Sequence, residues 1–279
     1  MKHIKWAKGP RPYEELFIMN RIENAFKNKP IFMPYFPLGY PDLPTSIDVI
    51  EALTKNGADL IEVGLSFSDP LADGPVIQQA TQIALEKGIT VKESLEAVKE
   101  LRNRSVTIPL ILMGYYNPML AYGLERFIRD AKEAGADGFI IPDLPLEEAA
   151  EFTSVAGDLP LIQMLAPTSP DERMEAIARN AKGFIYLVSV TGVTGERRKV
   201  SNDLGELIAR VRRHAKRSAP VCVGFGIGTP EQAKQVGQLA DGVIVGSACV
   251  KMIGGSQQPV ETAKQFAAEF RSALNSIDL

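Results

Sequence analysis

The sequence predicts an α/β protein, a closed (β/α)8 TIM barrel, and three observations carry that expectation. From about residue 31 onward, short runs of β-branched and aliphatic residues alternate with helix-period segments, the pattern of a parallel sheet with helical crossovers. Eight such runs occur: IFMPYFP, DLIEVGLSF, PLILMGYY, GFIIPDL, LPLIQMLAP, GFIYLVSV, PVCVGFGI and GVIVGSACV. The joints from helix into strand also repeat, as NGADLIEV, AGADGFII and QLADGVIV. Eight units in roughly 250 residues fit a closed barrel better than an open doubly wound sheet.

At the N-terminus, YEELFIMNRIENAFKN is amphipathic and is expected to form a helix covering the barrel floor, behind a flexible tail at residues 1–12. In LERFIRDAKEAG, Leu124, Phe127, Ile128 and Ala131 share one helical face and Gly135 supplies the stop. In TSPDERMEAI, Ser169 is the expected N-cap, with Pro170 at the first helical position and Glu172 completing a capping box. Thr229, Pro230 and Gln232 repeat that arrangement after the seventh strand. No linker or low-complexity segment interrupts the chain, so residues 1–279 read as one barrel domain.

A chain of 279 residues that is 45% hydrophobic can bury a substantial core. Its net charge of -3 argues against a wholesale nucleic-acid or membrane-surface binder. Two cysteines, Cys222 and Cys249, sit in apolar runs; they are too few for a metal cluster and suit a reducing compartment. No apolar segment has the length to cross a bilayer, and a cytoplasmic protein with no metal site is expected.

Chemistry is concentrated in DLIEVGLSFSDPLADGP, residues 59–75. Glu62 interrupts an apolar strand near its carboxyl end, where barrels gather their catalytic groups, and Asp73 follows in a loop able to lean over the same mouth. A buried carboxylate needs a partner, a raised pKa or access to the mouth. The competing reading pairs Glu62 with a buried Lys or Arg and makes Asp69 and Asp73 helix caps. His3 and His214 are the only histidines and both are expected to face solvent, leaving proton transfer to carboxylates and tyrosines.

The last three strands each end in small residues: Thr191 to Gly195, Gly224 to Gly228, and Gly246 with Ser247. Glycines let backbone N–H groups approach an anion, and a helix starting there adds a positive dipole, so these loops read as a phosphate cradle or as ordinary tight turns. GFGIGT lacks the third glycine of a dinucleotide fingerprint, so no NAD is inferred. Arg197, Arg198 and Lys199, in the loop expected after the sixth strand, form either a solvated run or a lid. Between the acids and the glycines, Tyr35, Met113, Tyr115, Met164, Tyr186 and Phe225 are candidates to line a slot for a flat apolar ring, each with core packing as the alternative.

Taken in order, EVGLSFSDPLADGP, LILMGYYNP, IIPDLPLEE, APTSP, YLVSVTGVTG, GFGIGTPEQ and GSACVK resemble the tryptophan synthase α subunit family from about residue 15 to the C-terminus. The resemblance implies cleavage of indole-3-glycerol phosphate to indole and glyceraldehyde 3-phosphate. It also implies catalytic roles for Glu62 and Asp73, and substrate contacts at Tyr186 and Thr194. Phosphate contacts are implied at Gly195, Gly226, Gly246 and Ser247, and an indole pocket at Tyr35, Met113, Met164 and Phe225. It implies a β subunit partner in an α2β2 heterotetramer, docked near Asp69, Pro70, Asn117 and Pro118, with pyridoxal phosphate only on that partner and no cofactor in this chain. Two departures stand out: Gly39-Tyr40-Pro41 replaces the family's usual Gly-Asp-Pro, and Leu65-Ser66 replaces an apolar-Pro pair. Loss of that proline removes a backbone restraint near the expected partner surface. The rival readings are a non-catalytic barrel that activates a β subunit, and another phosphosugar barrel; a Schiff-base aldolase would want a strand-end lysine, which none of the eight runs holds.

Overall fold

Eight short parallel strands pair in sequence order, and the last closes on the first. They are β1 (Ile31–Pro37), β2 (Ile61–Gly64), β3 (Leu110–Met113), β4 (Gly138–Ile140), β5 (Leu161–Leu165), β6 (Ile185–Val188), β7 (Val221–Gly224) and β8 (Gly242–Val245). The computed structural model describes residues 21–27, 30–188, 197–214, 219–224 and 226–277, with residues 197–202 by their helical backbone alone. Around the barrel lie α1 (Arg21–Ala25), α2 (Leu43–Lys55), α3 (Pro75–Glu86), α4 (Val91–Asn103), α5 (Tyr116–Tyr122), α6 (Leu124–Ala134), α7 (Ala150–Ala156), α8 (Asp171–Asn180), α9 (Arg197–His214), α10 (Pro230–Gly237), α11 (Ser247–Gly254) and α12 (Pro259–Asn275). No described helix is long and apolar enough to cross a membrane.

All eight strands are present, but most are shorter than the apolar runs that signal them. The surplus residues turn outward as the loops of the mouth. In the eighth unit, Ser247 to Val250 belong to α11 and not to a strand. Local signals elsewhere translate directly. Leu124, Phe127, Ile128 and Ala131 are buried along α6, which ends at Gly135 in the left-handed region. Thr229 and Gln232 form a complete capping box on α10. Ser169 behaves differently: its hydroxyl accepts from the Ala166 N–H at 3.1 Å, closing the preceding turn. The extended Pro170 therefore becomes the N-cap of α8, with no side-chain cap.

The floor is built around three aspartates, each placed just before a strand. Asp59 accepts from the Phe32 N–H at 2.7 Å, Asp137 from Leu110 at 2.8 Å, and Asp241 from Val221 at 2.9 Å. In each case the aspartate's own N–H returns a bond to the carbonyl of the same residue. This reciprocal clasp ties the start of one strand to the start of the next, pinning the register of β1–β2, β3–β4 and β7–β8. An arginine completes each clasp: Arg271 at Asp59, Arg102 at Asp137 and Arg212 at Asp241. The repeated Gly-Ala-Asp and Leu-Ala-Asp joints are thus a register device. On the same floor, α1 buries Ile22 fully and reaches Asp137 through Arg21 at 2.8 Å, and Phe26 just past its end packs tilted on Phe184 at 5.9 Å.

Asp137→Ala would strand the buried Leu110 N–H and leave Arg102 without its counter-ion, an expected loss of about 3–5 kcal/mol. Arg21 is half exposed, so Arg21→Ala is expected to cost under about 1 kcal/mol. Urea unfolding of the two variants measures the contrast; equal losses would remove the clasp from the account of register.

Candidate active site

Strand parity brings Glu62 to the interior. In the ladders Glu62 stands opposite Tyr35 of β1 and Ile111 of β3, while Gly64 stands opposite Met113. Residues paired in register share a face, so this set points into the barrel at its carboxyl end. Glu62 is 1% exposed, and its Oε1 is buried with no hydrogen-bond partner among the described residues. No Lys or Arg pairs with it there. Burial pushes its carboxyl up to about 8.

Asp73 arrives from the loop joining β2 to α3. Its N–H donates to the Pro70 carbonyl at 3.0 Å, and the Gln78 side-chain amide donates to the Asp73 carbonyl at 2.8 Å, which ties the loop to α3. The N-cap of α3 is Gly74, with no side-chain cap, so neither Asp69 nor Asp73 serves that helix. Burial raises the Asp73 carboxyl to about 6, against the lowering effect of a hydrogen bond from the Tyr115 hydroxyl. The same hydroxyl accepts from the Ala72 N–H at 2.9 Å. Tyr115 thus stands behind Asp73 and fixes the loop that presents it, while its ring rests on Phe67 at 5.4 Å.

Glu62 and Asp73 open onto one cavity of about 270 Å³, shared with Tyr35, Met113 and Tyr186. Its far wall is Gly226, Gly228, Gly246, Ser247 and Ala248. Gly226 takes a φ of 76°, a backbone shape that favours glycine. The Gly228 N–H is already given to the Gln232 side chain at 2.7 Å. By contrast α11 begins at the cavity edge, with Gly246 as its N-cap, and the first N–H groups of a helix have no acceptor within it. The two carboxyls, the glycine turns and the start of α11 therefore share one largely apolar cavity.

The remaining sequence candidates fall in different places. Met164 is the register partner of Tyr186 on β5, half-buried, and is not on the cavity wall. Tyr186 lies across Gly224, where a Cβ would meet its ring carbons at 2.7 and 2.8 Å. Thr194, Gly195, Phe225, His3 and the tail lie outside the described residues. Arg197, Arg198 and Lys199 fall in the first turn of α9 instead of a loop. His214 is half-buried, 3.3 Å from Asp171. Cys222 and Cys249 are buried and in no disulfide, and burial pushes the Cys249 thiol far up. No group of three or more potential metal-ligating side chains occurs among the described residues.

Three apolar wall residues escaped the sequence reading: Ile77, Ile227 and Ile244. Ile244 carries a usable signal. It pairs with Met33, two residues below Tyr35 on the same face of β1. Ile77 comes from the first turn of α3, and nothing in its local sequence separates it from an ordinary helix-core residue.

The family model described as tryptophan synthase alpha chain matches residues 22–277. The chain belongs to the tryptophan synthase alpha chain family. It is 48% identical to the alpha chain of Chloroflexus aggregans, over 93% of this chain and all of that one. It is 46% identical to the tryptophan synthase of Saccharomyces cerevisiae over 84% of this chain, but only 34% of that longer protein. Among solved structures, the alpha subunit from Legionella pneumophila superposes with a TM-score of 0.82 at 38% identity, covering 93% of this chain and 100% of that one. A chain of tryptophan synthase from M. tuberculosis, in its aminoacrylate-bound form, gives 0.81 at 34%, covering 91% and 99%. The tryptophan synthase alpha chain relatives thus share the whole barrel and not a fragment of it.

Burial of Glu62 has a stability signature. An unfolded glutamate ionises near 4.5, whereas the folded one holds its proton to about 8. The group therefore favours the folded state fully below pH 4.5, and that contribution drains away as pH rises through 8. The gap corresponds to about 5 kcal/mol at alkaline pH. Glu62→Gln cannot ionise, so its melting temperature relative to wild type should rise from pH 4.5 to pH 9. Thermal melts at the two pH values check the sign, and parallel curves would show that this carboxyl titrates normally.

Proposed function

We propose that the cavity binds indole-3-glycerol phosphate, with the indole ring in the apolar slot, the phosphate at the glycine turns and the start of α11, and the reacting carbons beside Glu62. The chain is a carbon–carbon lyase that cleaves this substrate to indole and glyceraldehyde 3-phosphate in tryptophan biosynthesis, as the family's α subunit does. The observation that carries the residue assignment is the unpaired, buried Glu62 carboxyl opposite a wall of glycines and orphan N–H groups.

Cleavage of the bond between indole C3 and the glycerol carbon is a retro-aldol step. A proton added to C3 turns the ring into an iminium-like electron sink, and loss of the side-chain hydroxyl proton drives the electrons of the breaking bond into it. Glu62 is protonated at neutral pH, so it can give the first proton and, as carboxylate, take the second. It ends the cycle as it began, and no net proton is consumed. Asp73, largely ionised at neutral pH, lies against the developing positive charge at the ring N–H, an electrostatic contribution made before the reaction starts. Tyr186, Met113 and Tyr35 form the walls of the ring slot. Thr194, Gly195 and Phe225 complete the substrate and phosphate contacts in this reading. Pyridoxal phosphate belongs to the β subunit in this family, and the chemistry of this chain uses its own carboxylates.

The partner surface follows from the same loops. Between Phe67 and Gln82 runs a surface groove that includes Asp69, Pro70 and Leu71, and Leu71 is 93% exposed. Asn117 and Pro118 lie on α5, beside the exposed Leu120. A β subunit seated here, in an α2β2 heterotetramer, covers both apolar residues. Ser66, whose hydroxyl is buried without a partner among the described residues, underlies that loop. Two buried thiols suit a cytoplasmic location.

Incubation with indole-3-glycerol phosphate should release indole. Glu62→Gln is expected to lose at least about a thousandfold in kcat, and Asp73→Asn roughly a hundredfold with a smaller change in KM. The pH profile should be a bell. Its acid limb near 6 reflects loss of the Asp73 charge, and its alkaline limb near 8 loss of the Glu62 proton. Asp73→Asn should abolish the acid limb alone; a profile unchanged by it would end the division of roles. Mixing with a β subunit should give a larger complex on gel filtration, whereas separate elution would leave a stand-alone lyase.

A further inference from the structure

Gly64 is the next inward position of β2 above Glu62, yet it takes no part in the cavity wall, because the Tyr35 ring lies across it. A Cβ at Gly64 would sit 2.6 Å from Tyr35 Cζ and 2.8 Å from Cε2, and nearer still to the hydroxyl oxygen, where ordinary contact begins at 3.4 Å. The nearest atoms on all three counts belong to the outer edge of one ring. Gly64 itself has no unusual φ, so the space and not the backbone shape demands glycine.

Tyr35 is 4% exposed, packed on every side except the cavity it lines. Its ring edge packs directly over Gly64 of β2. Any side chain at position 64 would press on the ring, and the ring borders the cavity shared with Glu62 and the glycine turns.

We propose that Gly64 is a specificity-determining residue: the missing side chain seats the Tyr35 ring against β2 and so sets how wide a flat ring the slot admits. The inference rests on the assignment of this cavity to an indole-bearing substrate and adds the element that gauges the ring. The three atoms nearest a Cβ at Gly64 all belong to Tyr35 and none to Glu62, so the effect is expected on binding before chemistry. Removing the Tyr35 ring does the opposite and widens the slot.

The test is a double-mutant cycle on indole-3-glycerol phosphate cleavage with Gly64→Ala, Tyr35→Leu and the pair. Gly64→Ala should raise KM roughly tenfold while kcat changes less than about threefold, on the scale of one methylene's effect in a fitted pocket. In the Tyr35→Leu background the same glycine change should move KM by less than about twofold, because no ring remains to be displaced. A penalty equal in both backgrounds, or no penalty, overturns the proposal. Should Gly64→Ala fail to fold, Tyr35→Leu alone still decides. Calorimetry with indole and 5-methylindole should show the substituted ring gaining affinity relative to indole, and unchanged discrimination would overturn the seat. A wild-type protein that releases no indole would instead break the functional reading, leaving the calorimetric comparison to judge the slot.

Discussion

Closing eight strands into a barrel sends alternate side chains inward, and at Glu62 that geometry removes a carboxyl from water with no counter-ion among the described residues. The cost is met by the group keeping its proton, which raises its pKa to about 8. A stability optimum would place an isoleucine there, as it does at the neighbouring Ile111 and Ile244. The barrel instead tolerates a group that weakens the fold whenever it ionises, and gains an acid whose proton is available at neutral pH. The second acid at the mouth, Asp73, is less deeply buried and remains largely charged at neutral pH.

The floor shows the same residue types under the opposite constraint. Asp59, Asp137 and Asp241 are each met by a strand N–H and an arginine, so their charges are spent on register. Among the described residues none of these partners exists for Glu62. What separates the two fates is position along the strand. An aspartate one or two residues before a parallel strand faces the unsatisfied first N–H of its neighbour, whereas a glutamate within the strand faces only side chains. The clasp at Asp59 fixes from below the paired strands that carry Tyr35 and Glu62.

Position along the strand is also why so much was legible in the chain itself. Alternation and turn residues are local, and they mark eight strands, the capping box at Thr229 and the stop at Gly135 without reference to the rest of the molecule. Glu62 stood out because a charge in an apolar run has few explanations. Strand ends were less legible: in DLIEVGLSF the apolar run continues past Gly64, but the chain leaves the ladder there to form the mouth. Ser169 was misjudged because its hydroxyl had two backbone N–H groups within reach, and the turn at Ala166 took it. Tyr115 illustrates a further limit. Its type and place fit a ring-slot residue equally well, and only the fold shows its hydroxyl between Ala72 and Asp73.

That hydroxyl joins two loops that sequence treats as separate. The loop after β2 carries Asp73 toward the cavity and Leu71 outward to solvent within two residues, so a force on one is felt by the other. The loop after β3 supplies Tyr115 and runs directly into α5, where Leu120 is exposed. A partner resting on Leu71 and Leu120 therefore bears on both sides of the bond that holds Asp73. Gln78 ties the same loop to α3, whose first turn contributes Ile77 to the ring slot. With Ser66 in place of a proline, the root of this loop lacks a fixed φ and holds a buried hydroxyl without a partner among the described residues. Asp73 is thus held less by its own strand than by Tyr115 and Gln78, which fix the loop from two other elements.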